Sequence, residues 1–206
     1  MSESSKNPIV IVQGYGAPTI TNLPIKLRLE ADGYNAFNAP LPGLNTQDIR
    51  FSAKIVSDAV SEVKDKTGAN KVDLIGVSMG GLISLQYIRK LEGHQSVDKF
   101  ISLATPFNGT PLAGIAHAFS QNIGAAQMQP GSDFLTELHE DSSKDCKIFS
   151  MWVKGDFMVT KDAAALEGAK LVYTPHGVWP LGHYFPIFHP KNYALIKSIL
   201  AGEIAH

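Results

Sequence analysis

The feature that most constrains this chain is the stretch Lys71 to Leu91. There a short apolar run, VDLIGV, breaks at Gly76-Val77-Ser78-Met79-Gly80 and resumes as an apolar pattern of helical spacing. Val72 to Val77 is apolar apart from Asp73, too short for a helix and rich in β-branched residues, so it reads as an interior strand. Leu82, Ile83, Leu85, Ile88 and Leu91 then mark the apolar positions of a helix. A serine at such a strand-to-helix turn takes strained backbone angles to lift its hydroxyl out of the sheet. Strand and helix approach so closely there that only glycine fits on either side. The helix starts directly behind the serine, so its first amides face any negative charge developing there. Ser78 is therefore the candidate nucleophile. The bland alternative, a glycine-rich turn whose serine merely caps the helix, is opposed by the buried strand before it and the apolar helix after it.

The rest of the chain alternates in the same way. Pro8 to Gln13 is a near-continuous apolar run that opens into Gly14-Tyr15-Gly16-Ala17-Pro18, as for a strand covered on both faces. Asn22 and Pro24 start a helix that Gly33 ends, and Tyr34 to Phe37 is a second strand. Asn45 or Thr46 is read as the cap of a long helix with Ile49, Ala53, Val56, Val60 and Val63 on its buried face, closed by Gly68. Further strands are expected at 97–103, 147–153 and 171–173. Helices are expected at 133–139, 162–166 and 192–200. Six strands alternating with helices imply an α/β fold with a central, mostly parallel sheet and right-handed crossovers. No repeat or low-complexity tract interrupts it, and residues 1–206 read as one domain.

Composition narrows the partners. With 206 residues, 44% of them hydrophobic, the chain can build one sizeable core. Eighteen basic against nineteen acidic residues, without a Lys/Arg block, disfavour nucleic acid and anionic membrane surfaces as partners, so a small neutral ligand is expected. Cys146 is the sole cysteine, which excludes an internal disulfide and a cysteine-based metal cluster; it reads as filling space at a strand start. MSESSKNP carries no basic region, the apolar run after it is too short for a signal segment, and no transmembrane segment is visible. A cytoplasmic location is the expectation.

A serine hydroxyl is a weak nucleophile near neutral pH, so Ser78 needs a base, and the base an orienting acid. His94, His117, His139, His176, His183, His189 and His206 all follow it. His94 and His139 sit at helix ends and read as solvated caps; His189 precedes Pro190 and reads as a cap. His183 lies in Pro-Leu-Gly-His-Tyr-Phe, in the loop between the last strand and the last helix, from which it reaches back over the carboxyl edge of the sheet. It is the preferred base, with His176 in Pro-His-Gly as the alternative. Asp156 follows the strand 147–153 by a Lys-Gly turn and is the preferred acid. Asp162 reads as an exposed helix residue, and the competing role for Asp156 is a turn aspartate bonded to its own backbone. An oxyanion formed at Ser78 needs amide donors fixed in advance. Met79 N–H, directly after the nucleophile, is one candidate, and Tyr15 N–H in the first loop is the other. No dinucleotide-type glycine pattern accompanies that loop.

The stretches IVIVQGYG, LIGVSMGGL, ISLATPFNGTPLAG, WVKGDFMV and PHGVWPLGH together resemble the lipase family of α/β-hydrolases, close in size to the compact bacterial lipases. The resemblance covers nearly the whole chain. It implies Ser78 as nucleophile, Asp156 as acid, His183 as base, and Tyr15 and Met79 as oxyanion donors, with no metal or cofactor. The implied activity is cleavage of carboxylic esters through an acyl-enzyme. A thioesterase or amidase on the same triad, or an inactive binding module, are the alternatives. One departure is Gln13-Gly14, where the family usually carries His-Gly. Finally, Phe100 to Ser132 contains no Asp, Glu, Lys or Arg, where about six would be expected from the 18% average. Leu112, Ile115, Ala116, Phe119 and Ile123 recur there at helical spacing. Phe107 to Gln129 is therefore expected to form an apolar wall or lid over the acyl-binding cleft, bending at Gly109, Gly114 and Gly124, unless it is a helix of the core.

Overall fold

The computed structural model describes residues 6–140, 146–174, 183 and 189–206. Six strands, β1 Ile9–Val12, β2 Ala36–Asn38, β3 Val72–Val77, β4 Val97–Leu103, β5 Lys147–Val153 and β6 Lys170–Thr174, form one sheet. Their spatial order is β2-β1-β3-β4-β5-β6 and every pairing is parallel. The helices are α1 Leu23–Ala31, α2 Ile49–Thr67, α3 Met79–Lys90, α4 Pro111–Ser120, α5 Ile123–Gln127, α6 Asp133–His139, α7 Lys161–Ala164 and α8 Pro190–Leu200.

Successive side chains of a strand point to opposite faces, and here both faces are covered, so both alternating sets are apolar. Val10, Val12, Leu74, Phe100 and Ile148 pack with α2, α3 and α6 on one face. Ile9, Ile11, Ile75, Ile101 and Phe149 pack on the other with Ile25 and Leu29 of α1 and Ile196 and Ile199 of α8. Each such large side chain contributes about 1.5–3 kcal/mol by leaving water. At the far end of the second layer, Tyr193 and Lys197 of α8 both donate to the Asp32 carboxylate beside the end of α1. Those hydrogen bonds, Tyr193's first, hold the Asp32 carboxyl below its ordinary range.

The expected elements are present, with three local corrections. The cap of α2 is Asp48, whose side chain accepts from Arg50 N–H; Asn45 and Thr46 lie further back in the loop. Gly68 ends that helix in the left-handed conformation, as anticipated. His139 is no solvated cap, because its Nε2 is hydrogen-bonded to the Phe107 carbonyl at 2.9 Å. His94 stands in a short 3₁₀ turn with Nδ1 buried.

The chain leaves β1 towards β2 on one side and returns to β3 on the other, so the order reverses between β1 and β3. In parallel sheets the loops diverging at such a point leave a crevice at the carboxyl edge. Here those loops begin at Gln13 and at Ser78, because Val12 is in register with Gly76.

Candidate active site

Ser78 occupies the turn between β3 and α3 with φ 52° and ψ −123°, a conformation disfavoured for any residue with a side chain. Ser78 N–H donates to the Leu103 carbonyl and Gly81 N–H to the Ser78 carbonyl, which fix the turn from both sides. The glycines are dictated by contact. A β-carbon at Gly76 would lie 2.7 Å from Gly81 Cα, and one at Gly80 would overlap the Val12 carbonyl oxygen. Gly81 is equally constrained, since a β-carbon there would overlap the Thr105 side chain at the end of β4. The glycine spacing around Ser78 shows two of these three positions, and the third depends on a residue distant in sequence.

Ser78 Oγ lies 3.0 Å from His183 Nε2, and His183 Nδ1 lies 2.9 Å from Asp156 Oδ2. An ionised carboxylate only accepts, so Nδ1 carries the proton and Nε2 is left as an acceptor for the serine hydroxyl. Asp156 stands just after β5, past Gly155 in a left-handed turn with φ 81°. Its other oxygen, Oδ1, accepts from Met158 N–H at 2.8 Å and Val159 N–H at 3.0 Å. The two roles weighed for this residue thus coexist, one on each oxygen. His183 and Asp156 are both buried. The structure therefore brings Ser78, His183 and Asp156 into one hydrogen-bonded row. Asp162 is exposed on α7 and His189 caps α8 through Lys191 N–H, while His176 lies outside the described residues.

Tyr15 lines the crevice beside Ser78, and Met79 follows Ser78 directly in the chain. Met79 is the first residue of α3, and neither its N–H nor that of Tyr15 has a partner among the described residues. Gly14 is wedged against the serine, where a β-carbon would lie 3.1 Å from Ser78 Cβ. Gln13, in place of the histidine usual in lipases, is buried, and its amide donates to Thr19 Oγ1 at 3.1 Å. Tyr15 reaches across the crevice. Asn122 Nδ2 donates to its hydroxyl at 2.9 Å, which leaves that O–H to donate to Ser120 Oγ at 3.3 Å, and Ser120 in turn donates to the Ala116 carbonyl.

A cavity of about 350 Å³ opens beside Ser78 and His183, lined largely by apolar groups that include Val77, Pro106, Leu112, Ala116, Met128 and Val159. Its size falls in the range of small-molecule sites, about 300–1,000 Å³. The charge-free segment supplies one wall. Within it α4 buries Ala113 alone and turns Phe119, 89% exposed, to solvent. By contrast α5 is anchored: Ile49 N–H donates to Gln127 Oε1, Gln127 Nε2 to Asp48 Oδ1, and a β-carbon at Gly124 would lie 2.7 Å from the Gln47 carbonyl oxygen. Gly109 and Gly124 are close-approach positions: a β-carbon at Gly109 would lie 2.6 Å from Pro130 N. Among the described residues no group of histidine, cysteine and carboxylate side chains has the arrangement of a metal site, and no helix is long and apolar enough to cross a membrane.

A six-stranded parallel sheet with helices on both faces and a serine at the turn after β3 defines the class of α/β-hydrolases. The chain belongs to the family described as alpha/beta hydrolase of unknown function (DUF915), whose model matches residues 44–164. In structure it is similar to the mature form of Bacillus licheniformis lipase BlEst2, with a TM-score of 0.81 at 18% identity over 96% of this chain and 93% of that one. It is also similar to Aspergillus fumigatus lipase B, with a TM-score of 0.79 at 18% identity over 95% of this chain, which spans only 52% of that longer protein. A serine hydrolase from the bacterium Cycloclasticus zankles matches with a TM-score of 0.63 at 14% identity, over 98% of this chain and 92% of that one. At these identities the likeness is one of fold.

Proposed function

We propose that this chain is a serine hydrolase that cleaves small neutral carboxylic esters through an acyl-enzyme. The observation that carries the reading is the unbroken row from Ser78 Oγ through the His183 ring to Asp156, opening on an apolar cavity. Ser78 Oγ attacks the ester carbonyl carbon while His183 Nε2 takes its proton, and Asp156 stabilises the imidazolium through Nδ1–H. The electron pair displaced onto the carbonyl oxygen is met by Tyr15 N–H and Met79 N–H. Collapse of that tetrahedral species breaks the ester C–O bond, and the alcohol leaves with the proton from His183. Water, deprotonated by the same nitrogen, then attacks the acyl carbon; the Ser78 Oγ–acyl bond breaks, Oγ takes the proton back from His183, and the acid is released.

In this reading α4 is the wall of the acyl site and the part of the 107–129 segment able to move, while α5 stays attached to the start of α2. The test is hydrolysis of a short-chain aryl ester by wild type and Ser78→Ala. Loss of the nucleophile is expected to lower kcat by at least about 10³-fold with the fold intact. Activity of Ser78→Ala within about tenfold of wild type excludes the assignment.

A further inference from the structure

Asn45 is read from sequence as a helix cap, but Asp48 takes that place and Asn45 does something else. It is completely buried, although it is polar and precedes the helix by several residues. Its φ is 52°, in the left-handed region that asparagine tolerates better than most residues yet still at a cost in strain. The chain accepts this, and the side chain shows what it gains. Asn45 Nδ2 donates to the Gln13 carbonyl at 2.8 Å and to the Gly14 carbonyl at 3.3 Å, and Asn45 Oδ1 accepts from Ser52 Oγ at 3.4 Å. One buried amide thus holds two consecutive carbonyls of the loop that leaves β1, 32 and 31 residues away in sequence.

A peptide unit is planar and trans, so the carbonyl of one residue and the N–H of the next point in opposite directions. Turning the Gly14 carbonyl towards Asn45 therefore turns Tyr15 N–H away from Asn45, on the far side of the same rigid plane. Gly14 itself is wedged against Ser78, so the plane has little room to translate and is left chiefly to rotate. We propose that Asn45 is a positioning residue that sets the direction of Tyr15 N–H by holding the Gly14–Tyr15 peptide plane, and through it the geometry of the oxyanion hole. This rests on the ester-hydrolase reading. An amide donor acts on an oxyanion only when it already points where the charge forms, so the contribution of Asn45 appears in the transition state and not in substrate binding.

Asn45→Gly tests this, because glycine adopts φ 52° without strain and removes only the side chain. Asn45→Asp is the companion, keeping the volume and one oxygen but losing the N–H donor. The proposal expects both folded variants to lose about ten- to hundredfold in kcat on an aryl ester, with KM within about twofold of wild type. Backbone amides at residues 14–16 exchange hydrogen faster in both. A purely conformational role for Asn45 would be rescued by glycine, so unchanged kcat in Asn45→Gly, or a loss confined to KM, overturns the proposal. If wild type shows no ester turnover that Ser78→Ala removes, the ester-hydrolase reading fails on its own. The holding of the loop is then judged by exchange, and unchanged exchange at residues 14–16 in Asn45→Gly overturns it.

Discussion

Asp156 uses both carboxylate oxygens at once, and this sets what its replacement does. Oδ1 closes the turn after β5 through two backbone N–H groups, and Oδ2 faces the His183 ring. An asparagine has one oxygen and one N–H₂ for these two jobs, so it either opposes the turn's N–H donors or presents a donor to the imidazole and selects the wrong tautomer. Asp156→Asn is expected to lower kcat by about 10³- to 10⁴-fold, while Asp162→Asn stays within about twofold, as initial rates on one ester will show. Equal losses would mean that the acid has been misplaced. The row of Ser78, His183 and Asp156 was legible as a candidate because Ser78 and Asp156 each follow a strand whose end the apolar pattern marks, and His183 lies in the stretch between the last strand and the last helix. Asn45 was not, because an asparagine ahead of a helical pattern is more often a cap, and its true partners are carbonyls 31 and 32 residues earlier.

At the scale of elements, the approach of α3 to its neighbours is the tightest packing around the site. Gly80 faces the Val12 carbonyl and Gly81 faces Thr105, so α3 can lie over the strand ends only without side chains at these two positions. Gly81→Ala is expected to destabilise the fold by about 1–3 kcal/mol through overpacking, read from denaturant midpoints. Thr105→Ala removes the two nearest clashing atoms, so the double variant Gly81→Ala/Thr105→Ala should regain part of the loss. A double variant no more stable than Gly81→Ala would show that the contact is elsewhere. Periodicity located the strands and the long helices because burial on one or both faces imposes it. It did not distinguish α4 from α5. Both belong to one charge-free run, and what separates them is the tie of Gln127 to Asp48 and Ile49, a contact across 78 residues.

At the scale of the molecule, the reversal of strand order between β1 and β3 opens a crevice at the carboxyl edge, and the charge-free segment walls it. One side of α4 borders the cavity, where an uncharged lining avoids burying an unpaired charge, and the other exposes Ile115 and Phe119 to solvent. Phe119→Asp with Ile123→Asp is expected to lower hydrolysis of long-chain esters while short-chain turnover is kept, and to shift the melting temperature by no more than a few degrees, as at other exposed positions. Unfolding of this variant would instead assign the segment to the core. The central claim is that Ser78 is a nucleophile activated by His183 and Asp156, and covalent labelling tests it most directly. Wild-type protein treated with a fluorophosphonate and read by intact mass and peptide mapping is expected to carry one adduct, on Ser78, and His183→Ala to label far more slowly. A wild-type protein that takes no adduct, or takes it on another residue, contradicts the account.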